Sequence, residues 1–257
     1  MISTLSELLP VAGDAFSTAI WVFLRVGGMI AALPAFGEQS VPLRVRLAMA
    51  FAFTLLVAPA VPAGASFVAP PGPAAVLSET LVGLAFGLFI RFFVFALQIA
   101  GTIAAQSTSL SQILGAQAGI DPLPAMGHVL VIGGIALATI LGLHVAAAEY
   151  IIRSYDLVPV GTLPDPARLA DVGVAETARS FSLAFVLSAP FLVASLLYNL
   201  TLGVINRAMP QLMVSFVGAP AITAGGLALL ALAAAPLLQL WSGALFTFLE
   251  SPFGPLP

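Results

Sequence analysis

Charged side chains are scarce in this sequence. They make up 7% of its 257 residues, whereas a soluble domain has about 25% because a folded surface must be hydrated. Hydrophobic residues make up 60%, and the mean hydropathy is +1.12. Because such a chain cannot cover itself with polar side chains, lipid or other apolar subunits must cover it. We therefore predict an integral membrane protein.

Cysteine, lysine and catalytic motifs are also absent. Without cysteine the chain has no disulfide, no thiolate metal site and no thiol redox chemistry. Its eight basic residues are all arginines and form no clustered basic face, which excludes a typical nucleic-acid-binding protein. No nucleophile elbow, phosphate-binding glycine loop or His-Glu-x-x-His helix occurs. We predict that the protein is not an enzyme and has no cofactor, no metal and no nucleic-acid partner.

Long apolar segments alternate with short connections. A helix that crosses a bilayer needs about 20 apolar residues, and about six segments reach that length. They lie near 15–34, 47–69, 76–106, 126–152, 180–206 and 218–248. No basic residue precedes the first of them, so we expect no cleaved signal peptide. The arginines in the connections are divided evenly and favour neither membrane orientation. We expect one integral-membrane domain over residues 1–257.

Proline and glycine are abundant, with 20 and 23 residues. The prolines in or at the edges of apolar segments are Pro59, Pro190, Pro220 and Pro236. Because proline removes a backbone donor and kinks or ends a helix, we predict several helices broken at prolines and folded into hairpins. Gly83-x-x-x-Gly87 is a close-packing motif of membrane helices. The predicted fold is an all-α membrane protein of about six apolar helical segments.

Two connections are polar. Residues 106–124 (QSTSLSQILGAQAGIDPLP) are rich in amides and hydroxyls but almost uncharged. Irregular backbone at membrane depth is tolerated only inside protein or along a water-filled cavity, so this segment suits a plug in a pore. An ordinary exposed loop is equally compatible with its composition. Residues 153–179 mix acidic residues with arginines, and we predict a polar inter-helix loop there.

Isolated polar residues inside apolar segments are energetically expensive and suggest function by default. Arg25 and Arg91 can face a partner subunit, pair structurally or extend towards the interface. Glu79 opens an apolar segment, where the helix dipole favours a carboxylate and a proton relay is an alternative. His128 and His144 lack metal-ligand spacing, which favours a structural role. The remaining candidates are Gln98, Glu149 and Arg207.

Several motifs, taken in order along the chain, resemble the FliR family of flagellar biosynthesis proteins and its counterparts in type III secretion. They are residues 25–27 (RVG), 33–37 (LPAFG), 41–46 (VPLRVR), 79–98, 154–161 (SYDLVPVG), 206–212 (NRAMPQL) and 218–220 (GAP). Together they cover nearly the whole chain. The sequence departs from the family pattern at Met213, where asparagine is usual, and at Leu143, which interrupts an Asn-Gly-His run.

The resemblance implies a subunit of the flagellar protein export gate, located in the bacterial inner membrane at the basal body. In such a gate, FliP-like and FliQ-like subunits assemble with this chain into a helical pore complex embedded in membrane lipid. FlhB-like and FlhA-like proteins act beside the pore. Unfolded flagellar export substrates pass through it, and the proton-motive force and a cytoplasmic ATPase supply the energy.

The resemblance also implies roles for particular residues. The plug is expected to contain Gln106, Ser107, Thr108, Ser109, Ser111, Gln112, Gly115, Gln117, Asp121 and Pro122. An assembly or structural role is expected for Pro34, Phe36, Gly37, Pro42, Arg44, Arg46, Glu79, Arg91, Arg207, Pro210, Gln211, Gly218 and Pro220.

A secondary transporter or channel for a small solute is the main alternative. Such a protein would need broken helices that meet at a midplane site, often with repeat symmetry. The chain has proline-containing segments but no paired half-repeats and few intramembrane carboxylates. A membrane enzyme would need clustered Asp, Glu or His, and an assembly scaffold without pore contact is a further alternative.

Overall fold

A computed structural model describes residues 2–38, 40–61, 72–108, 124–209 and 214–251. Within these ranges the regular structure is helical and there is no strand, which confirms the predicted all-α class. The helices are α1 (Ile2–Ala32), α2 (Leu43–Val57), α3 (Pro73–Ser107), α4 (Ala125–Ile140), α5 (Leu143–Leu157), α6 (Pro166–Ala208) and α7 (Val214–Glu250). A 3-10 turn, Ala58–Ala60, follows α2.

The helices are long enough to account for the predicted membrane spans. In the part of the chain that the structure describes, five are long and apolar enough to cross a bilayer, and α4 with α5 makes a sixth if the pair is one broken span. About half of the apolar windows of α1 and α3 is buried within the protein (50% and 56%), against 17% for α2 and 17% for α7. Therefore α1 and α3 bury more of their apolar surface within the protein than α2 and α7 do.

The break in the fourth span falls at a glycine rather than at a proline. Gly142, between α4 and α5, has a φ of 91°, a left-handed conformation that disfavours side chains. Pro190 lies inside α6, and Pro220 and Pro236 lie inside α7. The helix breaks predicted at these three prolines do not occur. Membrane helices tolerate proline where neighbouring groups satisfy the freed carbonyls.

The structure differs from the predicted bounds of both polar connections. The helix α3 continues through Ser107, so the first two residues of the predicted loop 106–124 are helical, and residues 109–123 lie outside the described ranges. The prediction of a loop over 153–179 is wrong, because α5 extends to Leu157 and α6 begins at Pro166. The carboxylate of Asp165 accepts a hydrogen bond from the backbone N–H of Ala167 at 3.0 Å. Such capping, with proline in the first turn, is a typical helix start.

The chain divides into two compact units, and neither is a continuous stretch of sequence. The first comprises Met1–Phe92, Thr139–Glu176 and Phe246–Pro257, and the second comprises Phe93–Ala138 and Thr177–Leu245. The prediction of a single domain over 1–257 stays a prediction.

Each unit has its own aromatic core. In the first unit the ring of Tyr150 lies 5.3 Å from that of Phe86 and 5.7 Å from that of Phe248, measured between centroids. In the second unit the indole N–H of Trp241 donates a 2.7 Å hydrogen bond to the backbone carbonyl of Phe93. Trp241 is therefore both fully packed and hydrogen-bonded, as a buried indole requires.

Candidate functional site: a buried ion pair between two helices

An ion pair joins α1 to α3 in the interior of the first unit. The guanidinium of Arg25 donates from Nε to Glu79 Oε2 at 2.8 Å and from Nη2 to Glu79 Oε1 at 3.1 Å. Both side chains are 0% exposed. This two-pronged geometry is the strongest form of an arginine–carboxylate contact. The two charges that the sequence marked as isolated are therefore each other's partners.

The end of α5 and the segment that follows it also bond to this pair. Arg25 also donates to the hydroxyl of Ser154 at 3.1 Å and to the backbone carbonyl of Val158 at 3.0 Å. The backbone N–H of Gly161 donates to Glu79 Oε1 at 2.8 Å. The guanidinium carbon of Arg25 lies 3.9 Å from the ring centroid of Tyr155, within the range of a cation–π contact. The charged groups thus meet polar or aromatic partners on all three segments.

The ion pair joins three segments of the chain. A buried charge is tolerated only when paired and hydrogen-bonded, and Arg25 and Glu79 make these bonds with groups of the same chain. Neither side chain is exposed. Because Arg25, Glu79 and Gly161 come from three separate segments, their bonds fix α1, α3 and the connection after α5 against one another. We therefore assign this cluster a structural role.

Glycines allow the two helices to approach closely around the ion pair. A Cβ at Gly83 would overlap the backbone oxygen of Arg25, and one at Gly28 would overlap that of Thr80. A Cβ at Gly87 would lie 2.5 Å from the backbone oxygen of Met29. The Gly83-x-x-x-Gly87 motif therefore packs α3 against α1 of the same chain, as small-residue motifs do in membranes.

A second polar cluster lies where α1 ends. Arg91 donates to the backbone carbonyl of Ala32 at 3.3 Å, and its guanidinium lies 3.5 Å from the carboxylate of Glu38. After α1 the chain folds back on the end of the helix, and the N–H of Gly37 donates to the carbonyl of Leu33 at 2.7 Å. A Cβ at Gly37 would overlap the carbonyl of Ala31. Arg91, predicted to face a partner or pair structurally, is thus paired within the chain.

The other residues assigned to assembly are scattered. Pro34 is buried in the turn after α1, and the ring of Phe36 lies 6.0 Å from that of Phe53. Pro42 precedes α2, and Arg46 donates to the carbonyl of Val41 at 2.9 Å. Arg44, Arg207 and Pro220 are exposed, whereas Gly218 is buried. Pro210 and Gln211 lie outside the described residues. The structure therefore brings only some of the residues assigned to assembly close to one another.

Part of the predicted plug lies beyond the described residues. Gln106 and Ser107 form the last turn of α3, and Thr108 follows them with its side chain buried. Ser109, Ser111, Gln112, Gly115, Gln117, Asp121 and Pro122 lie outside the described ranges. Within the second unit, a Cβ at Gly101 would overlap the Cα of Gly127. The helices α3 and α4, which flank residues 109–123 in the sequence, are therefore in backbone contact at these two glycines.

No metal site accompanies these clusters in the described part of the chain. His128 and His144 are exposed, and no group of three or more His, Asp or Glu residues could hold an ion there. The hydrogen-bond partners of the ion pair that the sequence did not predict are Ser154, Val158 and Gly161. Residues 154–161 carry part of the family resemblance, but nothing in them indicates Arg25 and Glu79 as their partners. Only Gly161, with a φ of 73°, carried a local signal of a special turn.

Helices and clusters together define a multi-pass α-helical membrane protein with a buried ion pair in its first unit. Residues 16–248 match the model of the family described as bacterial export proteins, family 1. The chain therefore belongs to that family.

Relatives match over most of their own length. The chain is 33% identical over 241 residues to the flagellar biosynthetic protein FliR of Caulobacter vibrioides, which covers 89% of this chain and 95% of that protein. It is 28% identical over 224 residues to the protein of the same name from Escherichia coli, with 82% of each covered. The Bacillus subtilis counterpart is 26% identical over 213 residues. The resemblance inferred from the motifs is confirmed.

Proposed function

We propose that this chain is a subunit of the flagellar type III protein export gate in the bacterial inner membrane, at the basal body. It forms the channel for unfolded export substrates together with FliP-like and FliQ-like subunits, and FlhB-like and FlhA-like proteins act beside it. The observation that carries the proposal is the family match over residues 16–248, together with flagellar relatives of nearly equal length. The match favours this function over a solute transporter.

The exposed apolar faces support assembly with other subunits. Leu55 on α2 is 75% exposed and Leu196 on α6 is 69% exposed. Of the apolar window of α6, only 28% is buried within the chain. Exposed apolar faces of this length mark contact with lipid or with other proteins. In the proposed gate, α2 and α6 contact the neighbouring subunits as well as lipid.

The plug segment supports a role in closing the channel. A pore for chains of any sequence should be uncharged where it is narrow, because a fixed charge would retain segments of opposite charge. Residues 106–120 carry no charged side chain. Amides and hydroxyls can exchange their contacts with water at a net cost of only about 0.5–1.5 kcal/mol each. Such a plug could open without a large energy input.

Co-purification tests the proposed assembly. The chain is expressed with and without the FliP-like and FliQ-like proteins of its own genome, extracted in mild detergent and weighed by native mass spectrometry. We expect a mixed complex of defined mass that contains this chain. A chain that is stable alone and binds neither protein would contradict the proposal and would favour solute transport instead.

Deleting Ser109–Gly119 tests the plug. We expect the deletion strain to become permeable to ions and small solutes while the complex still assembles, because the segment contributes closure and not assembly. Membrane conductance or solute uptake in cells measures the leak. A variant in which the same eleven positions are replaced by a Gly/Ser segment of equal length separates the identity of the residues from their number. Unchanged permeability in the deletion strain would rule the plug out.

A further inference from the structure

A groove in the first unit lies beside the ion pair and shares Val158 with it. It has a volume of about 470 Å³ and lies between α3 and residues 157–172. Its wall is apolar along α3, from Val82 to Phe89, and Leu163 and Leu169 face it from the other side. The volume falls within the range of about 300–1,000 Å³ that is typical of small-molecule sites.

Two opposite charges line the groove without neutralising each other. Asp165 and Arg168 both contribute to its lining, and no ion pair joins them or links either to another described residue. One oxygen of Asp165 accepts the hydrogen bond from Ala167, which leaves the second oxygen available. Arg168 is exposed and makes no hydrogen bond with any described residue. The groove thus combines an apolar lining with two charges of opposite sign that are not paired with each other.

The electrostatics of α6 itself do not explain why a cation occupies position 168. Arg168 lies in the first turn of α6, which begins at Pro166, where the helix dipole disfavours a cation. Intrahelical electrostatics therefore give no reason for an arginine there. An anion bound beside it would be favoured by both the guanidinium and the helix N-terminus.

We propose that the groove binds a glycerophospholipid with a primary-amine headgroup. An acyl chain occupies the apolar body, Arg168 binds the phosphate, and the free oxygen of Asp165 binds the ammonium group. A lipid is the occupant that fits this lining, because a zwitterionic phospholipid carries an anion and a cation on one headgroup, next to its apolar chains.

Native mass spectrometry of the full chain tests the site. The protein is extracted in mild detergent with the subunits that accompany it, stripped of lipid and titrated with phosphatidylethanolamine or phosphatidylglycerol. We expect one phosphatidylethanolamine to bind, and Arg168→Gln to weaken it about tenfold, since charge-assisted hydrogen bonds are the strong ones. Asp165→Asn, which keeps a capping side chain, should weaken phosphatidylethanolamine but not phosphatidylglycerol.

Matched variants make the result decisive. Arg44→Gln removes another exposed arginine, one that does not line the groove, and should leave binding unchanged. Ala85→Phe, which fills the groove lining, should abolish lipid binding without removing a charge. Equal weakening by Arg168→Gln and Arg44→Gln would overturn the proposal, as would full binding by Ala85→Phe. A complex that binds no lipid because a subunit covers the groove would overturn it as well.

Discussion

Replacing Glu79 by glutamine should destabilise the folded chain by about 3–5 kcal/mol. The change removes the charge that balances Arg25, whose side chain is 0% exposed and bonded to Glu79 at 2.8 Å. A buried charge without its counter-charge retains its desolvation cost and loses most of its compensation. Unfolding of the purified chain in mild detergent, by heat or added SDS, measures the loss. If the variant does not accumulate, its membrane level relative to the control is the readout.

Glu149→Gln is the matched control, because Glu149 is 61% exposed and its pair with Arg153 spans 3.9 Å. An exposed pair contributes little, so the control should lose less than about 1 kcal/mol. The double variant Arg25→Met/Glu79→Met should be more stable than the sum of its single variants predicts. It removes both charges, although the Val158 carbonyl and the Gly161 N–H lose their partners. Strict additivity would contradict the pairing.

Replacing Gly83 by alanine should be almost as damaging, although it adds one methyl group. The new Cβ would overlap the backbone oxygen of Arg25, and a backbone atom cannot rotate away as a side chain can. The helices α1 and α3 would have to separate, which stretches the ion pair between them. We expect a loss of about 3 kcal/mol, at the upper end for overpacking. The same unfolding measurement, with the membrane level of the chain, detects it.

Gly27→Ala is the control for this prediction because it lies on α1 beside the same contact, yet a Cβ there would meet nothing within 4 Å. Alanine favours a helix over glycine by about 1 kcal/mol, so Gly27→Ala should be neutral or stabilising. If the two variants behaved alike, backbone contact through Gly83 would not hold the helices together.

These two predictions also separate folding from assembly. Glu79 and Gly83 are buried within the chain, so their variants should lower its stability before any partner binds. Variants of exposed residues on α2 or α6, such as Leu55, should leave the chain folded and weaken the complex instead. Native mass spectrometry of the co-purified complex distinguishes the two classes.

Helix starts show where sequence reasoning failed although a local signal existed. The polar composition of 153–179 suggested a loop, but Asp165-Pro166 is a typical start of a helix. The helix α6 begins there, because a helix can carry polar residues on exposed positions without losing its backbone hydrogen bonds. The helix breaks predicted at Pro190, Pro220 and Pro236 are wrong for a related reason. The effect of a proline depends on whether neighbouring groups satisfy the freed carbonyls, and the local sequence does not show which groups are neighbours.

The sequence by itself determined the membrane class, the all-α fold, the number of apolar spans and the family. These follow from composition, from the length a bilayer requires and from motifs spread along the chain. Only the tertiary structure decided that Arg25 pairs with Glu79, 54 positions away, and that Gly161 completes the pair. Such contacts depend on how each helix is rotated and how closely its glycines let it approach. Packing sets both, and neither is written in any single segment.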